Sequence, residues 1–208
     1  MNKDILITGG AGYIGSHVVL ALRDASHSLV VIDDLSTGRL EAVPDDVPLV
    51  IGDIADVACV SRVLAQHSVG TVMHFAGSVR VDESIIDPLK YYRNNLSASR
   101  TLIETCIVGD VERFVFSSTA AAYGIPKGAR VDETTRLAPI NPYGHSKVMT
   151  EQVLRDTGTA TGLNYAILRY FNVAGADPAG RTGQTTLNAT HLIKVACEVA
   201  TGARRGME

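Results

Sequence analysis

Tyr143 and Lys147 stand four residues apart in Tyr143-Gly144-His145-Ser146-Lys147. On a helix that spacing puts both side chains on one face, one turn apart. A free phenol titrates near ~10 and is a poor base at neutral pH, but a neighbouring ammonium favours the phenolate. The pair is therefore suited to moving a proton at a hydroxyl or carbonyl. Y-x-x-x-K also arises by chance on exposed helix faces, so the pair needs a partner. One is offered by Phe116-Ser117-Ser118-Thr119, where an apolar run ends in hydroxyls. A hydroxyl at the carboxyl end of a strand, such as that of Thr119, can hydrogen-bond a substrate oxygen opposite the tyrosine.

A second constellation opens the chain, in Thr8-Gly9-Gly10-Ala11-Gly12-Tyr13-Ile14-Gly15. Gly9 permits a tight turn and Gly12 lets the backbone approach a pyrophosphate. Gly15 allows a following helix to pack closely on a sheet, and the start of that helix offers free N–H groups to phosphate. Asp33 follows about 20 residues later, at the end of the next apolar run, where a carboxylate accepts hydrogen bonds from an adenosine ribose and repels a 2′-phosphate. Its neighbour Asp34 is an alternative for that role. The cofactor this pattern selects is NAD. Asp53 and Ile54, after a third run, are placed to meet the adenine. Phe75, Ala76 and Gly77, after a fourth, pass under the ribose and nicotinamide, where small residues allow close approach. The positive charge of an oxidised nicotinamide adds to that of Lys147 beside Tyr143.

These residues all fall at the ends of short apolar runs, at 4–7, 29–33, 49–51, 71–75, 113–117 and 166–169. Such runs read as strands buried on both faces. Helical spacing occupies 14–23, 56–66, 86–107 and 142–157. Strand and helix in alternation give right-handed crossovers and an α/β fold, a doubly wound (Rossmann) parallel sheet with helices on both faces. Hydrophobic residues make up 46% of the 208 and charged residues 20%, enough for a real core. With 19 basic against 22 acidic side chains, no basic stretch marks a nucleic-acid groove or an anionic membrane surface. No apolar run suits a membrane span or a signal peptide. Cys59, Cys106 and Cys197 lack metal-type spacing and read as buried thiols of a cytoplasmic protein, and no metal is expected.

Taken together, the motifs resemble those of extended short-chain dehydrogenases/reductases acting on nucleotide sugars. Within that group, residues 8–17 (TGGAGYIGSH), 74–77 (HFAG), 141–147 (NPYGHSK) and 169–175 (RYFNVAG) are similar to the UDP-glucose 4-epimerase family, and the similarity spans essentially the whole chain. The resemblance implies a UDP-sugar substrate and NAD-dependent interconversion of UDP-glucose and UDP-galactose through a 4-keto intermediate. It places the amides of Tyr13 and Ile14 at the pyrophosphate, Asp33, Asp53 and Ile54 at the adenosine, and Asn94 near the cofactor. Thr119, Tyr143 and Lys147 would carry the chemistry and touch the cofactor, and Thr119 and Tyr143 would touch the sugar as well. Phe171 would lie near the nicotinamide, Asn172 at the diphosphate of the sugar nucleotide, and His191 and Leu192 on the substrate side. Full-length members are expected to be homodimers.

Two departures matter. Many members carry a lysine two residues beyond H-F-A-G, where this chain has Val79 and then Arg80. Members also continue well past residue 208. The expected division is an NAD-binding domain over 1–174 and the beginning of a sugar-nucleotide-binding region, apparently truncated, over 175–208. That region would contain a helix at about 188–201 with an exposed apolar face of Leu192, Val195, Ala196 and Val199. The alternatives are a nucleotide-sugar 4,6-dehydratase or decarboxylase of the same fold, and an NAD-binding fragment without turnover. The first would call for a carboxylate soon after Thr119, where the sequence reads Ala120-Ala121-Ala122-Tyr123.

Overall fold

A computed structural model describes residues 3–128, 130–186 and 191–207. Its centre is a six-stranded sheet of β1 (Asp4–Thr8), β2 (Leu29–Asp33), β3 (Leu49–Ile51), β4 (Val69–His74), β5 (Arg113–Ser117) and β6 (Asn164–Leu168). All neighbours are parallel and the order is β3-β2-β1-β4-β5-β6. The chain reverses its direction of winding between β1 and β4, which opens a crevice at the carboxyl ends of those two strands.

Alternation along each strand splits the core into two layers. Leu6, Val30, Ile32, Val72, Phe114 and Phe116 point to one face and pack with residues of α2 (Val57–Gln66), α5 (Ala98–Val108) and α6 (Pro142–Thr161). Ile7, Leu29 and Val31 point to the other, against Val19 of α1 (Tyr13–Asp24). The central strands are buried on both sides, as their unbroken apolar runs predict. The edge strand β6 is mostly exposed. An edge strand does not need an apolar start, which is why it begins at Asn164 and not at the expected residue 166.

The largest departure lies in the span 86–107, which reads as one helix. It is instead α3 (Val81–Ile86), α4 (Pro88–Tyr91), a π-helical turn (Tyr92–Ser97) and α5. Pro88 disfavours helical backbone at the residue before it, and Asp87 accordingly leaves the helix at φ −127°, ψ 75°. Its carboxylate then caps the new start by accepting from the Lys90 amide at 3.1 Å. α6 starts where Asn141 caps the Gly144 amide at 2.8 Å. It runs one turn further than expected and stops at Gly162, whose φ of 78° is left-handed.

The final helix is α7 (Leu192–Ala200); its expected start near 188 lies outside the described residues. Its surface differs from expectation. Val195 is buried and Ala196 and Val199 are half-buried, so the large exposed apolar side chains are Leu192 and Ile193. Cys197, expected to be buried like Cys59 and Cys106, is exposed because it lies on the outer side of this helix. Among the described residues no helix is long and apolar enough to cross a membrane.

Candidate active site at the carboxyl edge of the sheet

The glycine loop has the geometry that the spacing predicts, with one change. Gly9 sits at φ 71°, and a Cβ there would lie 2.5 Å from the Ala76 amide nitrogen. Gly15 is forced by contact with the backbone of Gly9 and Gly10, so it packs the helix against the loop itself and not against the sheet. Gly12 is different, since a Cβ there would meet only the Gly9 oxygen, at 3.3 Å, and face open space. Gly12 is the N-cap of α1, with no side-chain cap and no acidic residue in the first turn. The first-turn amides of Tyr13, Ile14 and Gly15, which a helix cannot satisfy internally, are left for a ligand.

Asp33 closes this cradle on the β2 side. Its carboxylate is buried and accepts from the Ala11 amide at 2.9 Å through Oδ2 and from the Leu35 amide at 2.9 Å through Oδ1. Burial raises its carboxyl above the usual range, and the two amides pull it partly back. Asp34 is exposed and engaged with Ser36. Asp53 is exposed and caps its own turn, accepting from the Ala55 amide at 2.8 Å. The side chain of Ile54 belongs to the core, so any contact it makes with an adenine is through its backbone.

On the other side of the crevice, β4 ends in His74 and the loop Phe75-Ala76-Gly77-Ser78. His74 is wholly buried between the Thr8 hydroxyl at 2.7 Å and the Ser99 hydroxyl at 2.8 Å. Gly77 runs past Asn95 so closely that a Cβ would lie 2.9 Å from Oδ1 of Asn95 and 3.5 Å from Nζ of Lys147. Asn95 pins this loop: its Oδ1 accepts from the Ser78 amide at 2.8 Å, and its Nδ2 donates to the Ser78 carbonyl at 2.9 Å and to the Ser146 hydroxyl at 3.2 Å. Asn94 donates to the Ser78 hydroxyl at 3.2 Å. Val79 is exposed, and the Arg80 guanidinium pairs with Asp82.

α6 carries Tyr143 and brings Lys147 beside this loop, and Thr119 follows the end of β5. The Tyr143 phenol is raised by burial and lowered in part by hydrogen bonding with the Thr119 hydroxyl. Lys147 lies one turn beyond Tyr143 on α6, as the spacing predicts. Its ammonium is buried, donates to the Ser117 carbonyl at 3.1 Å, and is pushed down to about 8 by desolvation. The ring of Tyr91 meets that of Tyr143 edge-on with centroids 6.2 Å apart, and the Tyr91 hydroxyl is held by Glu83 at 2.7 Å. Tyr170 hydrogen-bonds Ser117.

Phe171, Asn172, His191 and Leu192 are all exposed, and His191 is engaged with Gln184 at 2.8 Å. Next to Asn172, residues 173–176 lie against α1, where the Tyr13 hydroxyl donates to the Gly175 carbonyl at 2.8 Å. Sequence reasoning missed Asn95, Tyr91 and Glu151. The Asn94-Asn95 doublet and the continuation of the four-residue spacing from Tyr143 through Lys147 to Glu151 are the signals that could have found two of them.

A helix start free of caps after a glycine turn, a buried carboxylate at the end of β2, and a tyrosine one turn from a buried amine, all on a doubly wound parallel sheet, define an α/β protein of the dinucleotide-binding class. The chain belongs to the NAD dependent epimerase/dehydratase family, whose model matches residues 5–204. It is 60% identical over 200 residues to a UDP-glucose 4-epimerase of Azospirillum brasilense, covering 96% of this chain and 58% of that one. Among solved structures it superimposes with a TM-score of 0.95 on UDP-glucose 4-epimerase from Brucella ovis in complex with NAD, at 40% identity, covering 98% of this chain and 62% of that one. The corresponding values for UDP-glucose 4-epimerase from Bifidobacterium longum in complex with NAD+ and UDP are 0.93, 32%, 99% and 64%. The chain thus spans about three fifths of the length of these relatives.

Proposed function

We propose that this chain binds NAD in the crevice between β1 and β4 and carries the NAD-side and proton-transfer half of a UDP-sugar 4-epimerase, acting on UDP-glucose and UDP-galactose. The observation that carries the reading is the buried Lys147 amine, one turn beyond Tyr143 on α6 and beside Gly77, near a helix start left free of caps. The residues fit the cofactor: the amides of Tyr13, Ile14 and Gly15 suit its pyrophosphate, and the Asp33 carboxylate suits an adenosine ribose. When bound, NAD supplies a reversible hydride acceptor.

The chain's own residues would do the rest. Tyr143 takes the proton of the sugar 4-hydroxyl and later returns it, with the Thr119 hydroxyl orienting both oxygens. Because burial holds the free phenol up, the phenolate depends on the positive charge that the site contains when loaded. Lys147 contributes through its anchor on Ser117 and its place beside Gly77. Phe171 is proposed near the nicotinamide, and Asn172, His191 and Leu192 on the sugar-nucleotide side, where their exposure leaves them free to meet substrate. A dehydratase or decarboxylase role is disfavoured, because the residues after Thr119 carry no carboxylate.

A homodimer is part of this reading, and the exposed apolar side chains of Ile85, Ile86 and Leu89 are the surface that supports it; a cytoplasmic setting is proposed alongside. The test is to purify the chain, measure NAD affinity, oligomer size and turnover of UDP-galactose, and repeat the turnover with Tyr143→Phe. NAD binding is expected. Failure to bind NAD with a folded spectrum would sink the proposal.

A further inference from the structure

Glu151 is fully buried, and nothing in the proton-transfer scheme uses it. It lies on α6 one turn beyond Lys147 and two beyond Tyr143, on the same face of the helix. Its two oxygens collect donors from three places. Oε1 accepts from the Ser118 hydroxyl at 2.5 Å and from Nε of Arg169 at 2.9 Å, and Oε2 from Arg169 at 2.7 Å and Arg155 at 2.8 Å. Arg169 in turn lies over the Tyr123 ring, 5.4 Å from its centroid.

The positions of those donors matter. Ser118 immediately precedes Thr119 at the exit of β5, and Arg169 immediately precedes Tyr170 and Phe171 at the exit of β6. Among the described residues β6 lies at the edge of the sheet and pairs with β5. Its exit is tied to that of β5 by the Ser118 amide on the Leu168 carbonyl and the Ala120 amide on the Tyr170 carbonyl, at 2.9 and 3.0 Å. Besides the Lys147 bond to the Ser117 carbonyl, this pair of strand exits is linked to the helix that carries Tyr143 through the Glu151 carboxylate, which alone of the two also holds β6. An amide could not replace it, since a glutamine would turn a donor toward two guanidinium groups and leave buried donors unpaired.

We infer that Glu151 is a positioning residue of the site, one that sets Thr119 against Tyr143 by holding Ser118 and Arg169 on one buried carboxylate. The inference rests on the reading of Thr119 and Tyr143 as the proton-handling pair. A purely structural Glu151 would stabilise the fold without affecting how Tyr143 ionises. Charge alone would act in a definite direction: removing a carboxylate and leaving two arginines favours the phenolate and lowers the Tyr143 titration. Loss of positioning takes the Thr119 hydroxyl away from the phenol that it helps to lower, and raises the titration.

The experiment labels the chain's tyrosines with ¹³C at Cζ, identifies Tyr143 by the resonance lost in Tyr143→Phe, and follows it from neutral into alkaline pH. Thr119→Val should move the Tyr143 midpoint upward. Glu151→Gln should move it upward by a comparable amount, and the double variant should move it no further than Thr119→Val alone. An unchanged or lowered midpoint in folded Glu151→Gln overturns the inference. If Glu151→Gln does not fold, Ser118→Ala decides, because it keeps the carboxylate and both arginine pairs; an upward shift supports positioning and an unchanged midpoint overturns it. If Thr119→Val alone leaves Tyr143 unmoved, the pairing of Thr119 with Tyr143 fails and the inference falls with it, a result distinct from a silent Glu151.

Discussion

Lys147 donates from Nζ to the carbonyl oxygen of Ser117 at 3.1 Å, which ties α6 to the end of β5, two residues before the Thr119 hydroxyl that accepts from the Ala121 amide at 3.1 Å. The ammonium is thus held in place at the cost of being buried.

That cost predicts a pH-dependent stability. Desolvation moves Lys147 from 10.5 to about 8 in the folded chain, so the folded state holds fewer protons than the unfolded state between those values. Stability therefore rises with pH through that window, and below about 8 the full penalty is present. Lys147→Met should be more stable than the native chain at neutral pH by on the order of 1–3 kcal/mol, after allowing for the lost Ser117 bond. The gain should shrink as pH rises toward 10.5. Urea titrations of both proteins at neutral and alkaline pH check this; a gain independent of pH would mean that the lysine is not paying for burial.

At the acid end the corresponding group is His74. Burial and the charge of Lys147 hold its imidazole down at about 3, so the unfolded chain takes up this proton below its ordinary 6.5 while the folded chain does not. Stability is fully present above 6.5 and is lost as pH falls toward 3, by at most about 1.4 kcal/mol per pH unit. His74→Asn should be less stable at neutral pH, because Thr8 and Ser99 lose well-placed partners. It should also show a shallower decline between neutral and mildly acid pH. Parallel curves for the two proteins would contradict the assignment.

What the sequence made legible follows from these residues. Leu6 and Ile7, or Val31 and Ile32, announce buried strands because both faces of the sheet must be covered. Gly9 and Gly15 announce the turn because only glycine fits their contacts, and Gly12 because the space in front of it stays open. Three kinds of information stayed hidden. The π-helical turn at Tyr92–Ser97 depends on how α4 and α5 are joined after Pro88 and has no local signature. Glu151 looks like any polar residue on a helix until Arg169, from a strand far along the chain, is brought to it. Lys147 has the expected position, but its lowered titration and its anchor on Ser117 come from tertiary burial. Spacing along the chain gives faces and turns; it does not give the partners that the topology delivers.

Asp33 offers a test of cofactor choice. Asp33→Ala removes a carboxylate facing the expected ribose and should weaken NAD binding while reducing discrimination against NADP, as an unpaired negative charge next to the 2′-phosphate is lost. It also strands the amides of Ala11 and Leu35, so some loss of stability is expected, on the order of 1–3 kcal/mol. Binding titrations with both cofactors on both proteins give the answer. Equal affinity of the native chain for NAD and NADP would remove Asp33 from the site.

The glycine loop gives the sharpest contrast, since two residues of one motif should fail in opposite ways. A methyl group at Gly15 would be driven into the backbone of Gly9 and Gly10, with the Gly10 Cα only 2.8 Å away. Backbone cannot move aside as a flexible side chain can, so Gly15→Ala should cost on the order of 1–3 kcal/mol or more through overpacking. At Gly12 the backbone, at φ −79° and ψ 174°, is one that alanine adopts freely. The added methyl would meet only the Gly9 oxygen at 3.3 Å, so Gly12→Ala should fold with nearly native stability. It should nonetheless lose NAD affinity by at least about tenfold, because the methyl stands where a phosphate must approach the first-turn amides of α1. Urea midpoints and NAD dissociation constants for the two variants separate the roles. A Gly12→Ala chain that binds NAD as the native chain does would place the pyrophosphate elsewhere and undo the assignment of Tyr13 and Ile14.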